Sequence, residues 1–151
     1  MRKLTLLPLL ALALAALVPG YAGARARRHA TSRAFSGNDN ATLHLVHASG
    51  SKLIEKGRAS GALPGRVDAV LFVGTTFHGT FTIHTRGGEI FGRGSAKPST
   101  GRGEIENFAG SLQATGGTGR FRGAHGSGRL YGSFNRRNYR ILMRIRGKLY
   151  T

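Results

Sequence analysis

The stretch Phe77-His78-Gly79-Thr80-Phe81-Thr82-Ile83-His84 alternates apolar or small residues with polar ones without a break. Phe77, Gly79, Phe81 and Ile83 fall on one side; His78, Thr80, Thr82 and His84 fall on the other. A two-residue period is that of a β-strand with one face on a core and the other in water. The same pattern recurs downstream. Phe108, Gly110, Leu112 and Ala114 oppose Ala109, Ser111 and Gln113. Gly126, Gly128, Leu130 and Phe134 oppose His125, Ser127, Arg129, Tyr131 and Ser133. Ile141, Met143, Ile145 and Leu149 oppose Arg140, Leu142, Arg144, Arg146 and Lys148. Val67 to Val73 is more uniformly apolar, which predicts a strand covered on both faces.

Turn-forming residues separate these runs: Arg86-Gly87-Gly88, Lys97-Pro98-Ser99, Gly116-Gly117-Thr118-Gly119 and Asn135 to Asn138. With Leu43–Val46 and a run near Gly57–Ala62, the count reaches seven or eight strands. Twenty of the 24 glycines lie from Gly57 onward, several on the expected inner face. Glycine inside a strand marks a bend or a close approach of backbones, which a small barrel needs in order to close. The expectation is an all-β chain folded as a single antiparallel β-barrel of eight (seven or eight) strands, with a two-sheet sandwich as the alternative.

The string Gly116-Gly117-Thr118-Gly119-Arg120-Phe121-Arg122-Gly123-Ala124-His125-Gly126 resembles the G-G-T-G-x-[FY]-x-x-A-x-G signature of the dirigent and allene oxide cyclase-like β-barrel superfamily. The likeness extends loosely over residues 41–151. It implies an eight-stranded antiparallel barrel with a largely apolar lumen, often assembled into homo-oligomers. Members of that superfamily steer phenoxy-radical coupling or cyclise an unstable fatty-acid epoxide, mostly by holding the reactive molecule in one conformation. His125 stands where plant dirigent members carry arginine, so the fold is carried over and the activity is not.

Upstream, Arg2-Lys3 precedes an apolar run from Leu4 to Val18, then Pro19-Gly20 and the small-x-small triplet Ala22-Gly23-Ala24. This order is that of a secretion signal peptide over residues 1–24, cleaved after Ala24. The run is shorter than the roughly 20 residues a bilayer-spanning helix needs, and no later run is longer. The pair is not a twin arginine, so the general secretory route and an extracellular destination are expected, with no transmembrane segment after cleavage. Residues 25–40, with Arg25, Arg27, Arg28 and Arg33, read as a flexible basic arm; residues 41–151 read as the barrel domain. Cysteine is absent, which excludes disulfides, thiolate zinc sites, a thiol nucleophile and a cysteine-linked lipid anchor.

The net charge is +17. A charge of that size favours contact with polyanions, although an arginine-rich, glycine-rich composition also follows from a GC-rich genome. His78 and His84 share a face but sit roughly 20 Å apart along a strand, and His44 and His47 face opposite ways, so no metal site is expected. There is no G-x-S-x-G elbow and no phosphate-binding glycine loop; no cofactor is expected. Glu104 and Glu106 read as a solvated pair. Asp68, set between Val67 and Ala69, is a candidate lumen acid. With Phe77, Phe81 and His125 it makes up the candidate ligand-binding set, His125 being the weakest because its parity is polar.

Candidate anion-binding residues are Arg120 and Arg122 beside the Gly116–Gly119 turn, and Arg136, Arg137, Arg140, Arg144, Arg146 and Lys148 near the C-terminus. Aromatic residues interleave poorly with them, which argues against specific nucleic-acid recognition. Three functions stay open. The first is a noncatalytic binding module for a small apolar or amphipathic ligand. The second is a dirigent-like or cyclase-like guide of a reactive intermediate in the lumen. The third is a protein whose basic face binds an acidic polymer or anionic surface.

Overall fold

The computed structural model describes residues 34–99 and 103–151. The signal peptide with its Ala24 cleavage site and the arm up to Arg33 lie outside the described residues. Eight strands follow in order: β1 (Ala34–Ser49), β2 (Lys52–Gly61), β3 (Gly65–Phe72), β4 (Phe77–Thr85), β5 (Gly88–Pro98), β6 (Ile105–Gly117), β7 (His125–Asn135) and β8 (Ile141–Tyr150). Each pairs antiparallel with its neighbour in sequence, and β8 returns to β1, so the sheet is a closed barrel. Closure leaves no sheet edge to pair with another chain.

The long β1 strand is what closes it. Ala34–Leu43 pair with β8, while Asp39–Ser49 pair with β2. A rung that leaves β1 at Leu45 passes through Glu55, Ala69, Phe81 and on round to Leu149, and meets β1 again at Phe35, ten residues from where it started. With eight strands, that stagger tilts them by about 40° to the axis. Ala34–Asn40, expected in the flexible arm, therefore belong to β1. Their composition is poor for a strand, but β8 presents a row of unpaired backbone groups there, and pairing outweighs propensity.

The alternation of the sequence maps onto the wall. Leu43, Leu53, Val67, Phe108, Leu130 and Ile141 are buried in one core. The expected double cover of β3 is not found: Phe72 is 39% exposed on the outer face and stacks on His78 with ring centroids 5.4 Å apart. Glycine admits the larger neighbours. A Cβ on Gly92 would strike the Phe81 ring, and one on Gly132 would come within 2.5 Å of Phe108 Cζ. Each aromatic ring thus lies over a glycine of an adjacent strand.

The two ends are closed differently. At the lower end, which holds Thr151, the β6–β7 connection folds into a 3₁₀ turn, Gly119–Phe121. Phe121 has no exposed surface and packs with Ile90, Ala114, Ala124 and Leu149. The Thr118 and Arg120 N–H groups donate to the carbonyls of Glu89 and Gly87 at 2.9 and 2.8 Å, tying the plug to the β4–β5 turn. At the upper end Phe77 meets Phe108 and Phe134 edge-on at 6.0 and 5.8 Å. Glu106 shares the inner parity of Phe108 and is held by Arg136 in two contacts, at 2.8 and 3.1 Å.

Candidate functional site

Between the plug and the aromatic cluster lies an apolar cavity of about 170 Å³. Phe77, Phe81, Ile83, Leu112, Leu130 and Met143 contribute bulk to its lining; Ala41, Ala59, Gly94, Ala96, Gly128 and Gly147 contribute almost none. The space follows from those small residues. Gly128 and Gly147 face each other across β7 and β8, so this sector of wall sends no side chain inward. The cavity reaches the lower rim at Gly37, Asp39, Ala62 and Leu63. Asp39 is the one carboxylate on the lining, and its Oδ1 accepts the Leu63 N–H at 2.9 Å.

Two of the four residues expected at a ligand, Phe77 and Phe81, line this cavity; Asp68 and His125 do not. Asp68 alternates with the inward Val67 and Ala69 and so faces out. Its Oδ2 meets His84 Nε2 at 2.7 Å and Arg66 Nη2 at 3.8 Å, and His84 Nδ1 meets Glu89 Oε1 at 2.8 Å. The result is an external clamp over β3, β4 and β5, not a lumen acid. The apolar Val67–Val73 run disguised that parity. His125 is exposed, stacked on Tyr150 with centroids 5.5 Å apart, and its Nδ1 lies 3.0 Å from the Gly123 carbonyl.

The interior acid is Glu55, which was not singled out in the sequence. It stands on the inner face of β2 between Leu53 and Gly57, opposite Leu45 and Ala69. It is wholly buried, and neither carboxylate oxygen has a hydrogen-bond partner among the described residues. Burial without compensation disfavours the charged form, and the carboxyl is pushed from 4.5 up to about 7. At mildly acidic pH Glu55 is therefore largely a protonated acid, set in the wall beside cavity-lining Ala69. The parity of Leu53, Glu55, Gly57 and Ala59 carries this placement, but Ile54 and Lys56 blur it.

The basic candidates separate into two groups. Arg136 and Arg137 are engaged with Glu106 and Glu104, the latter pair at 3.8 Å. Arg120 lays its guanidinium over the Phe121 ring, 4.8 Å from the centroid. The backbone donors of Thr118, Arg120, Phe121 and Arg122 all bond to carbonyls of the protein, so the glycine turn offers none of these four to an anion at Arg120 and Arg122. Arg140 and Arg122 are exposed on turns. Arg144, Arg146 and Lys148 project from the outer face of β8, and the register adds Arg129, directly opposite Arg146.

No protein-family model, curated protein or solved structure matches the chain.

Proposed function

We infer that the chain is a secreted, noncatalytic binding protein that holds a small apolar ligand in the barrel lumen. The observation that carries this reading is the apolar cavity between Phe121 and the Phe77 cluster. Its volume, about 170 Å³, is close to that of an apolar cavity that stays dry and takes up benzene. The ligand class is thus a compact hydrocarbon-like molecule of about one ring. A polar edge on the ligand could lie at the Asp39 rim. A dirigent-like or cyclase-like role needs a polar group against the reacting molecule. The polar residues His78, Thr80, Ser95, Ser127 and Lys148 on the lining occupy outward positions of their strands, and the inward Asp39 already accepts a backbone hydrogen bond through its Oδ1, so a binding role is favoured.

Gly94 supplies the test. A Cβ there would meet Ser111 O, Leu112 Cβ and Leu130 Cδ2 at 3.4, 3.6 and 3.7 Å, which is ordinary contact. The Cβ of Gly94→Val therefore clears the backbone, its γ carbons add bulk at a residue that lines the lumen, and valine suits a strand. Titration of toluene or indole, followed by calorimetry, should show binding at one site in the unaltered protein. Binding should weaken at least tenfold in Gly94→Val, with the circular dichroism unchanged. Absence of uptake by the unaltered protein, or equal uptake by both, refutes the lumen reading.

A further inference from the structure

All six carboxylates of the sequence stand away from one broad surface, the outer face of β6, β7, β8 and β1. Asp39, Glu55 and Glu106 have inner-face parity. Asp68 and Glu89 flank His84 on the opposite wall. Glu104 lies in the upper β5–β6 connection beside Arg137. What remains outside is cationic or neutral. Arg144, Arg146 and Lys148 alternate along β8, about 7 Å apart, and Arg129 sits opposite Arg146.

Among the described residues no carboxylate lies within 4.0 Å of Arg129, Arg144, Arg146 or Lys148. Arg144 meets only an amide oxygen, Asn40 Oδ1, at 3.4 Å. Like charges placed directly opposite each other destabilise a sheet, and nothing acidic offsets this pair. The residues facing these cations are hydrogen-bonding and neutral. Asn38 is opposite Arg146, Asn40 and Tyr131 flank Arg144, and Ser36 and Ser127 flank Lys148.

We propose that this face binds an acidic polysaccharide, laid along β8. Anionic sugars present carboxylates or sulfates at repeating intervals, which arginine takes in bidentate hydrogen bonds. Their hydroxyl groups match Asn38, Asn40, Ser36 and Ser127, and the exposed Tyr131 offers a ring face to a sugar. Other polyanionic partners fit less well. Single-stranded nucleic acid calls for successive aromatic platforms; Tyr131 stands singly among the cations, and Tyr150, next beyond Lys148 on the same face of β8, has its ring stacked on His125. A lipid surface calls for an apolar face to insert; the exposed Leu142 stands singly between Thr42 and Ser133, Val46 and Ile105 sit near the upper ends of β1 and β6, and Phe72 is on β3. This site is separate from the lumen, so either can fail without the other.

The test titrates the purified protein with polygalacturonate and with heparin. Dextran, oligo-dT matched in charge, and phosphatidylglycerol vesicles serve as comparisons. The expected result is affinity for one or both acidic polysaccharides, falling with added salt, with dextran unbound and oligo-dT and vesicles at least tenfold weaker. Arg129→Ser/Arg146→Ser should lower polysaccharide affinity tenfold or more. Arg136→Ser/Arg137→Ser, which removes the same charge elsewhere, should lower it less than threefold. Arg146→Lys, which keeps the charge and removes the fork, should fall between and guards against misfolding of the double variant. Equal losses from both double variants, or equal affinity for oligo-dT or vesicles, would reduce the face to a non-specific charge and overturn the proposal. So would failure to bind either polysaccharide.

Discussion

Glu55 is the residue whose environment departs furthest from its ordinary chemistry. Its folded-state pKa is raised to about 7 from 4.5, so the folded chain binds a proton that the unfolded chain has already released. Between these two values the folded state holds more protons, and stability falls as pH rises. The contribution is fully present below about 4.5 and fully lost above about 7. The total is on the order of 3 kcal/mol at 1.36 kcal/mol per pH unit. Urea midpoints at pH 5 and pH 8 should therefore differ, and Glu55→Gln should remove most of the difference. An unchanged difference in Glu55→Gln would rule out Glu55 as the source of the pH dependence. Asp68 teaches the converse lesson. An acid flanked by apolar residues in the sequence is outside the barrel, because its two neighbours are the ones that point in.

Two elements set the shape, and each can be broken by one substitution. Asn40 in β1 pairs with both Ser60 and Arg144, so a proline there loses its ladder donor and has no room for its ring. Asn40→Pro should cost more than about 2 kcal/mol, combining a lost hydrogen bond with the ring clash. A free arm ending at residue 40 would tolerate it, so the melting temperature of this variant measures where the barrel begins. The β6–β7 connection is the second such element. Phe121 has no exposed surface, and Phe121→Ala should cost about 3–5 kcal/mol by cavity formation, read from denaturant unfolding. A cost under 1 kcal/mol would mean that the plug is ornamental and that the lower end closes without it. The strands themselves were legible: β4, β6, β7 and β8 follow the alternation of Phe77–Ile83, Phe108–Ala114, Gly126–Phe134 and Ile141–Leu149. The start of β1 was not legible, because Ser36-Gly37-Asn38-Asp39-Asn40 has the composition of a loop and becomes a strand only against β8.

At the scale of the whole molecule, the lumen and the outer face are consequences of closure. A ligand that binds only the folded barrel stabilises it by about 2.7 kcal/mol at a hundredfold excess over Kd. Toluene or indole at that level should raise the melting temperature by several degrees, and Gly94→Val should abolish the rise. A rise that persists in Gly94→Val would place the ligand outside the lumen. The sequence by itself determined the class of fold, the faces of most strands, the inward direction of Phe77 and Phe81, and an excess of positive charge. These are local properties, because a period of two and the chemistry of turns act within a few residues. Only the tertiary structure decided that eight strands close with a stagger of ten residues, that Glu55 is buried unpartnered while Asp68 is outside, and that Arg129 stands opposite Arg146. Those facts depend on register between strands, and register is set by what the closed barrel can bury, which no single segment contains.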